Sequence, residues 1–304
     1  MGHLMPKFFN EMVSVNRIRN HIRALEGTRH PVAAPEALEH AADYIADFLR
    51  SLNYEMAEQR FPDSGREFRN IIATRHGLRH PDERVVVLAH YDTVAGTPGA
   101  DDNASGVAVM LEVARVLERF RFERTIHFIG VSLEENERDD DPDSGTRGSR
   151  ALAAYAREND WRIEGVVVLE SVAFASESIV QTVPPGIPVT VPETGNFIAV
   201  VGNARSIELV RGFARAVERY RSDLPFASLA VPANGEALPD TRRSDHAPFW
   251  DHGYKAVMVT DTTNFRSPHY HRPTDTLETL NLDFAANVCR ATGGLLVELA
   301  RLME

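Results

Sequence analysis

The stretch RVVVLAHYD, residues 84–92, settles the class of fold. Its four apolar residues, Val85 to Leu88, run without polar alternation, so neither face of this strand is expected to meet water. Val166 to Leu169 in GVVVLES, residues 165–171, repeat the pattern. Strands buried on both faces belong to mostly parallel sheets covered by helices. Neighbouring segments supply those helices. In PEALEHAADYIADFLRSLNY, residues 35–54, Leu38, Ala41, Ala42, Ile45, Phe48 and Leu49 recur at helical spacing. ASGVAVMLEVARVLERF (104–120) shows the same period through Val107, Met110, Leu111, Ala114 and Leu117. SRALAAYAREN, SIELVRGFARAVERY and the C-terminal NLDFAANVCRATGGLLVELARLM also read as helices, and RNIIATR, TIHFIGVSLEE, FIAVVGN and KAVMVTDT as strands. The expected architecture is an α/β three-layer sandwich around a mostly parallel central sheet. Residues 35–304 form a single domain in this reading, and 1–34 an N-terminal extension and helix packed on it.

Composition narrows the function. The 304 residues are 43% hydrophobic and 25% charged, with a formal charge of -11, which argues against a nucleic-acid partner. No run of about 18 apolar residues suggests a membrane span. The start MGHLMPKFFNEM lacks the apolar core of a signal peptide, so a cytoplasmic location is expected. A single cysteine, Cys289, rules out an internal disulfide and any multi-cysteine metal site, and reads as a buried structural thiol. Nothing in the composition sets an oligomeric state.

Polar residues collect where the strands end, the place where open α/β sheets bind ligands. His90 and Asp92, one residue apart in an extended segment, point to the same side. Glu134 and Glu135 close TIHFIGVSLEE; at a strand end both can reach one site, one as metal ligand and the other handling a proton. Glu170 ends GVVVLE and Asp261 ends VMVTD. In PGADDNASG, residues 98–106, a helix cap explains one aspartate but not the run Asp101, Asp102 and Asn103. SPHYHRPTDTLETLN offers His269 and His271 beside Asp275. Two histidines and three carboxylates make a mixed nitrogen and oxygen set, which suits two Zn²⁺, or Mn²⁺ or Co²⁺ in their place, with one carboxylate between the ions. Calcium would call for oxygen ligands alone. The Pro-rich VQTVPPGIPVTVPETGN (180–196) reads either as a loop over the site or as a surface insertion.

In order and wording, AHYDTV, GADDNASG, EEN followed by GTRGS, LES, SDHAPF and HYHRPTDT resemble the di-zinc aminopeptidases of the bacterial leucyl aminopeptidase and glutamate carboxypeptidase superfamily, over residues 35 to 300. That resemblance implies a phosphorylase/hydrolase-like zinc-exopeptidase fold. It also implies that His90 and Glu170 bind one zinc, Glu135 and His271 the other, and that Asp102 bridges them, with a cis bond from Asp102 to Asn103. Glu134 takes the role of general base, Asp92 orients His90, and Tyr270 places a hydroxyl near the oxyanion. The SDHAPF segment borders the substrate pocket in the family, which makes His246 and Phe249 substrate-site candidates. Read from the residues alone, Ser244, Asp245 and His246 are no triad, because adjacent residues cannot form that relay. They suit a helix start, with Ser244 or Asp245 as cap and Phe249 packed inside. The acidic insertion ERDDDPD, residues 137–143, departs from the family and reads as a solvated loop tip.

The implied activity is that of a metal-dependent hydrolase removing N-terminal residues from peptides or aminoacyl substrates through a di-zinc-activated water. Carboxypeptidase or deacylase chemistry is the alternative on the same fold, with Arg242, Arg243, Arg266 or Arg272 to anchor a substrate carboxylate. A glutaminyl cyclase-like reaction is weakened by the full ligand set. So is a non-catalytic binding domain, which would be expected to lose ligands.

Overall fold

A computed structural model describes residues 9, 11–136, 144–187, 190–221 and 223–303. Eight strands form one sheet: β1 (Glu55–Asp63), β2 (Arg66–Arg75), β3 (His80–His90), β4 (Arg124–Val131), β5 (Arg162–Glu170), β6 (Ile198–Asn203), β7 (Phe226–Val231) and β8 (Ala256–Thr260). Their order is β1-β2-β4-β3-β5-β8-β6-β7. At the centre β4, β3, β5 and β8 are mutually parallel. Antiparallel pairs join β1 to β2, β2 to β4 and β6 to β8, so the sheet is mostly parallel with reversals toward both sides.

Helices α1 (Val15–Leu25), α2 (Pro35–Ser51), α3 (Gly106–Leu117), α5 (Ile207–Tyr220) and α7 (Leu282–Leu299) cover one face. The other carries α4 (Arg147–Glu158) and the short α6 (His246–Asp251). The non-alternating run in β3 is divided between the two layers. Val85 and Val87 pack into the first core, Val86 and Leu88 into the second, as the pleat requires. None of the described helices is long and apolar enough to cross a membrane.

Two strands escape the apolar-run criterion for a physical reason. Both β1 and β7 are outermost, partly exposed, and carry interrupted burial patterns. Pro62 in β1 is tolerated because an outer strand can forgo a ladder donor. By contrast, α1 is no loose appendage: Ile18, Ile22 and Leu25 are buried in the first core together with Phe9 and Val13.

Leu88 is fully buried in the central strand. Leu88→Ala should lower the unfolding free energy by about 2–5 kcal/mol in urea titrations; a change below about 1 kcal/mol would contradict the two-sided burial of β3.

Candidate metal centre

The carboxyl ends of the parallel strands set the frame of the site. His90 ends β3 and Glu170 ends β5. Just beyond β3, Asp92 Oδ1 lies 3.5 Å from His90 Nδ1. The same carboxylate accepts the backbone N–H groups of Glu134 (3.1 Å) and Glu135 (3.0 Å). One buried side chain therefore fixes the backbone of both glutamates while lying beside the histidine. The apolar run of residues 125–135 stays in the sheet only to Val131, and Leu133 turns the chain with φ 58°. That departure from strand geometry is what lets adjacent glutamates serve one site.

Asp102 sits in a wide helical turn, Ala100–Ser105, interrupted at Asp102 and Asn103, whose shared peptide bond is cis. Gly99 enters the turn at φ 62°, where a Cβ would collide with Thr93 and the Asp102 carbonyl. The crowded polar run PGADDNASG is accounted for by its partners. Asp101 accepts the N–H of Ala173 (3.0 Å). Asn103 donates to the Leu169 carbonyl (2.8 Å) and accepts the N–H groups of Gly106 (3.1 Å) and Ser171 (3.0 Å). Asp275 accepts the N–H groups of Asp101 (2.9 Å) and Asp102 (3.2 Å). Only Asp102 is left facing the histidines.

Two donor groups result, His90, Asp102 and Glu170, and Asp102, Glu135 and His271, each with its atoms within 4.8 Å of one another. They share Asp102. Its Oδ1 lies 3.2 Å from His90 Nε2 and its Oδ2 3.2 Å from His271 Nε2. His90 Nε2 is also 3.6 Å from Glu170 Oε2, and His271 Nε2 3.2 Å from Glu135 Oε2. Glu134 Oε2 stands next to the first group, 3.9 Å from His90 Nε2. Both ring nitrogens of His90, His271 Nε2 and Glu135 Oε1 are buried without a hydrogen-bond partner. Unpartnered buried donors of this kind, mixed between imidazole and carboxylate, fit divalent cations of the zinc type.

The electrostatics follow from crowding. Burial disfavours charge on His90, but Glu170, Glu134, Asp102 and Asp92 outweigh it and raise the imidazole well above its ordinary value. His271 is raised to about 10, as Glu135 and Asp102 overcome its burial. Burial, reinforced by Asp102, lifts Glu135 to about 7, and burial lifts Glu134 well above the carboxylate range. Asp102 moves the other way, since the His271 and His90 imidazoles beside its two oxygens outweigh its burial.

An open cavity begins at Asp102, Glu134, Glu135 and Glu170. Its walls include Val201 of β6, Leu229 of β7 and Met258 of β8, with Phe197 and Phe265. The Pro-rich segment contributes Gln181 to Pro184, Ile187 and Val191, so it forms a wall of the cavity and is more than a surface insertion. Tyr270 also lines it; its ring stacks on His271 at 3.7 Å and its hydroxyl accepts from Arg243 Nη2 (3.3 Å). His269 turns away, with Nδ1 3.0 Å from the Thr274 hydroxyl. Of the four arginines considered as carboxylate anchors, Arg243 alone lines the cavity among the described residues. Arg242 is held by both oxygens of Asp251, and Arg266 is buried against Phe197.

His246 and Phe249, the substrate-site candidates of the SDHAPF segment, lie apart from the cavity. Both are buried, and neither lines the cavity. His246 bonds the Thr241 carbonyl through Nε2 (2.7 Å) and meets Trp250 edge-on, while Phe249 packs in the second core. The short helix α6 must bury its apolar side, and these residues are on it. No side chain caps that helix; the Ser244 hydroxyl instead donates to Glu170 Oε2 (2.7 Å). Ser244, Asn103 and the grip of Asp275 were not identified as supports from sequence, although Asp275 stood out beside His271. The insertion 137–143 lies outside the described residues.

Residues 70–295 match the model of peptidase family M28. The chain belongs to that family. Among curated relatives it is 30% identical to the uncharacterized protein YfbL of Escherichia coli over 287 residues, covering 90% of this chain and 85% of that protein. It is 30% identical to the aminopeptidase YwaD of Bacillus subtilis over 69% of this chain and 40% of that protein. Against a probable zinc metalloprotease of Leptosphaeria maculans the figures are 26%, 66% and 48%. The chain thus spans less than half of these last two relatives. Among solved structures, LapB from Legionella pneumophila superposes with a TM-score of 0.77 at 22% identity, covering 98% of this chain and 75% of that one. Macrostomum lignano glutaminyl cyclase gives 0.78 at 17%, covering 98% and 93%. These last likenesses concern the fold.

In this M28 chain the raised values of His271 and Glu135 mean that a divalent cation must displace protons to bind. Apparent affinity should therefore strengthen as pH rises from about 7 toward 10 and weaken below about 7, with proton release in weakly buffered titrations; pH-independent uptake without proton release would contradict this.

Proposed function

We propose that the chain is a zinc-dependent exopeptidase that removes N-terminal residues from peptides, with Asp102 shared between two ions. The observation that carries this reading is the pair of donor groups meeting at Asp102 at the acidic end of the cavity. His90 and Glu170 would hold one zinc, and Glu135 and His271 the other. The imidazole and carboxylate donors suit zinc, with manganese or cobalt as substitutes, and relatives named as zinc metalloproteases support that choice. When bound, the ions supply Lewis acidity that makes water nucleophilic near neutral pH and polarises a peptide carbonyl.

The protein's own groups complete the chemistry. Glu134, buried and raised in proton affinity, takes the proton of the attacking water and passes it to the departing amine. Asp92 keeps His90 in place, as a carboxylate behind a metal-ligating histidine does. Tyr270, its hydroxyl oxygen held by Arg243, directs its proton toward the attacked carbonyl oxygen. An N-terminal amine, as a cation, is drawn to the carboxylate-lined end, and the apolar walls receive the adjacent side chain. The amine, not a free carboxylate, is therefore the group that selects substrate.

Hydrolysis of aminoacyl p-nitroanilides and their N-blocked counterparts tests the direction of action. Only the unblocked compounds should be cleaved; preference for N-blocked peptides with free C-termini would favour a carboxypeptidase anchored by Arg243. Glu134→Gln should reduce kcat by about 10²–10⁴-fold while zinc content is retained. Near-normal turnover in that variant would remove Glu134 from its role.

A further inference from the structure

Residues 26–29 lie upstream of the matched family region, which begins at residue 70, yet they touch two of the connections that build the metal centre, β3 to α3 and β8 to α7. Gly27 N–H donates to the Pro98 carbonyl (2.8 Å), and the Thr28 hydroxyl to that of Thr97 (3.3 Å). Arg29 N–H donates to the Thr93 hydroxyl (2.9 Å), while Thr93 N–H donates back to the Arg29 carbonyl (3.0 Å). Glu26 accepts the N–H of Leu277 (3.1 Å), in the loop that also carries His271 and Asp275.

The Arg29 side chain is 2% exposed and spends its donors on backbone carbonyls. Nε reaches Tyr91 (2.7 Å), beside Asp92. Nη2 reaches Gly99 (3.0 Å), three residues before Asp102. Nη1 reaches Gly27 (2.7 Å), Pro98 (3.0 Å) and Leu25. A planar guanidinium is the one side chain with enough fixed donors to hold both ends of the β3–α3 connection and the end of α1 at once.

We infer that Arg29 is a positioning residue of the metal centre, setting the separation between Asp92 and Asp102 by bracing the two ends of the β3–α3 connection, Tyr91 and Gly99. This rests on the zinc-site reading above. Its charge is sustained in the interior by Asp92, Asp275, Asp102 and Glu135 against burial, which lowers its pKa to about 10. Charge and geometry make opposite predictions for zinc. A buried cation near the site repels incoming Zn²⁺, so if Arg29 acted only through its charge, removing it would tighten binding. If it acts by holding the loops, removing it loosens the ligand set and weakens binding.

The deciding experiment is zinc affinity by chelator competition on the full chain, for wild type, Arg29→Gln and Arg29→Lys. Tyr54→Phe serves as a control, removing a buried hydrogen bond to the Ala114 carbonyl at the far end of α3. Both Arg29 variants should bind zinc about 10–100-fold more weakly, the range seen when groups supporting metal ligands are removed. Lysine should not rescue, because a point charge cannot replace the fork. The control should match wild type. Unchanged or tighter binding by Arg29→Gln, or full rescue by Arg29→Lys, would overturn the inference. If the arginine variants do not fold, Thr93→Val, which removes the hydroxyl contacted by Arg29 N–H, should still weaken zinc several-fold, and wild-type affinity there would overturn it. Absence of zinc binding by the wild type would instead overturn the metal-centre reading, and this inference with it.

Discussion

Buried carboxylates at the ends of the parallel strands are the constraint on which the rest of the structure depends. Asp92, Asp102, Glu134, Glu135 and Glu170 are all less than one-tenth exposed, and each would lose hydration worth several kcal/mol without compensation. Two histidines and the two backbone N–H groups on Asp92 offset part of that cost. Divalent cations are the natural partners for the remainder. The shared position of Asp102 follows from this: its two oxygens look toward different histidines, while Asp275 and Asn103 fix the surrounding backbone.

Rigidity comes from the layers beneath. A sheet buried on both faces holds the ends of β3 and β5 in fixed register, so His90 and Glu170 start from well-defined places. Flexible loops then need clamps. Asp92 gathers the Glu134 and Glu135 turn, Asp275 gathers the Asp101 and Asp102 turn, and Arg29 joins the Tyr91 and Gly99 carbonyls to the end of α1. The supports of the site are thus drawn from the whole chain, including residues far upstream of the matched family region.

Much of this was legible in the sequence. Continuous apolar runs gave the buried strands because two-sided burial leaves no room for alternation, and acidic residues at their ends marked the ligand face. Outer strands β1 and β7 were illegible for the opposite reason: one side meets water and the hydrophobic signal is diluted. His246 and Phe249 were substrate-site candidates through the resemblance of SDHAPF alone; in the fold Ser244 bonds Glu170, and the packing of α6 buries the other two. Arg29 carried no local signal at all. Its partners near the site are backbone carbonyls some 60 to 70 residues away, which no side-chain pattern announces.

The most direct test of the shared-aspartate account is zinc per chain, by inductively coupled plasma mass spectrometry after equilibration with excess zinc and removal of unbound metal, for wild type and Asp102→Asn. The account predicts about two ions for wild type and a loss at both positions in the variant, because the amide cannot serve two cations as a carboxylate does. Wild type holding a single ion, or Asp102→Asn retaining two, would contradict it.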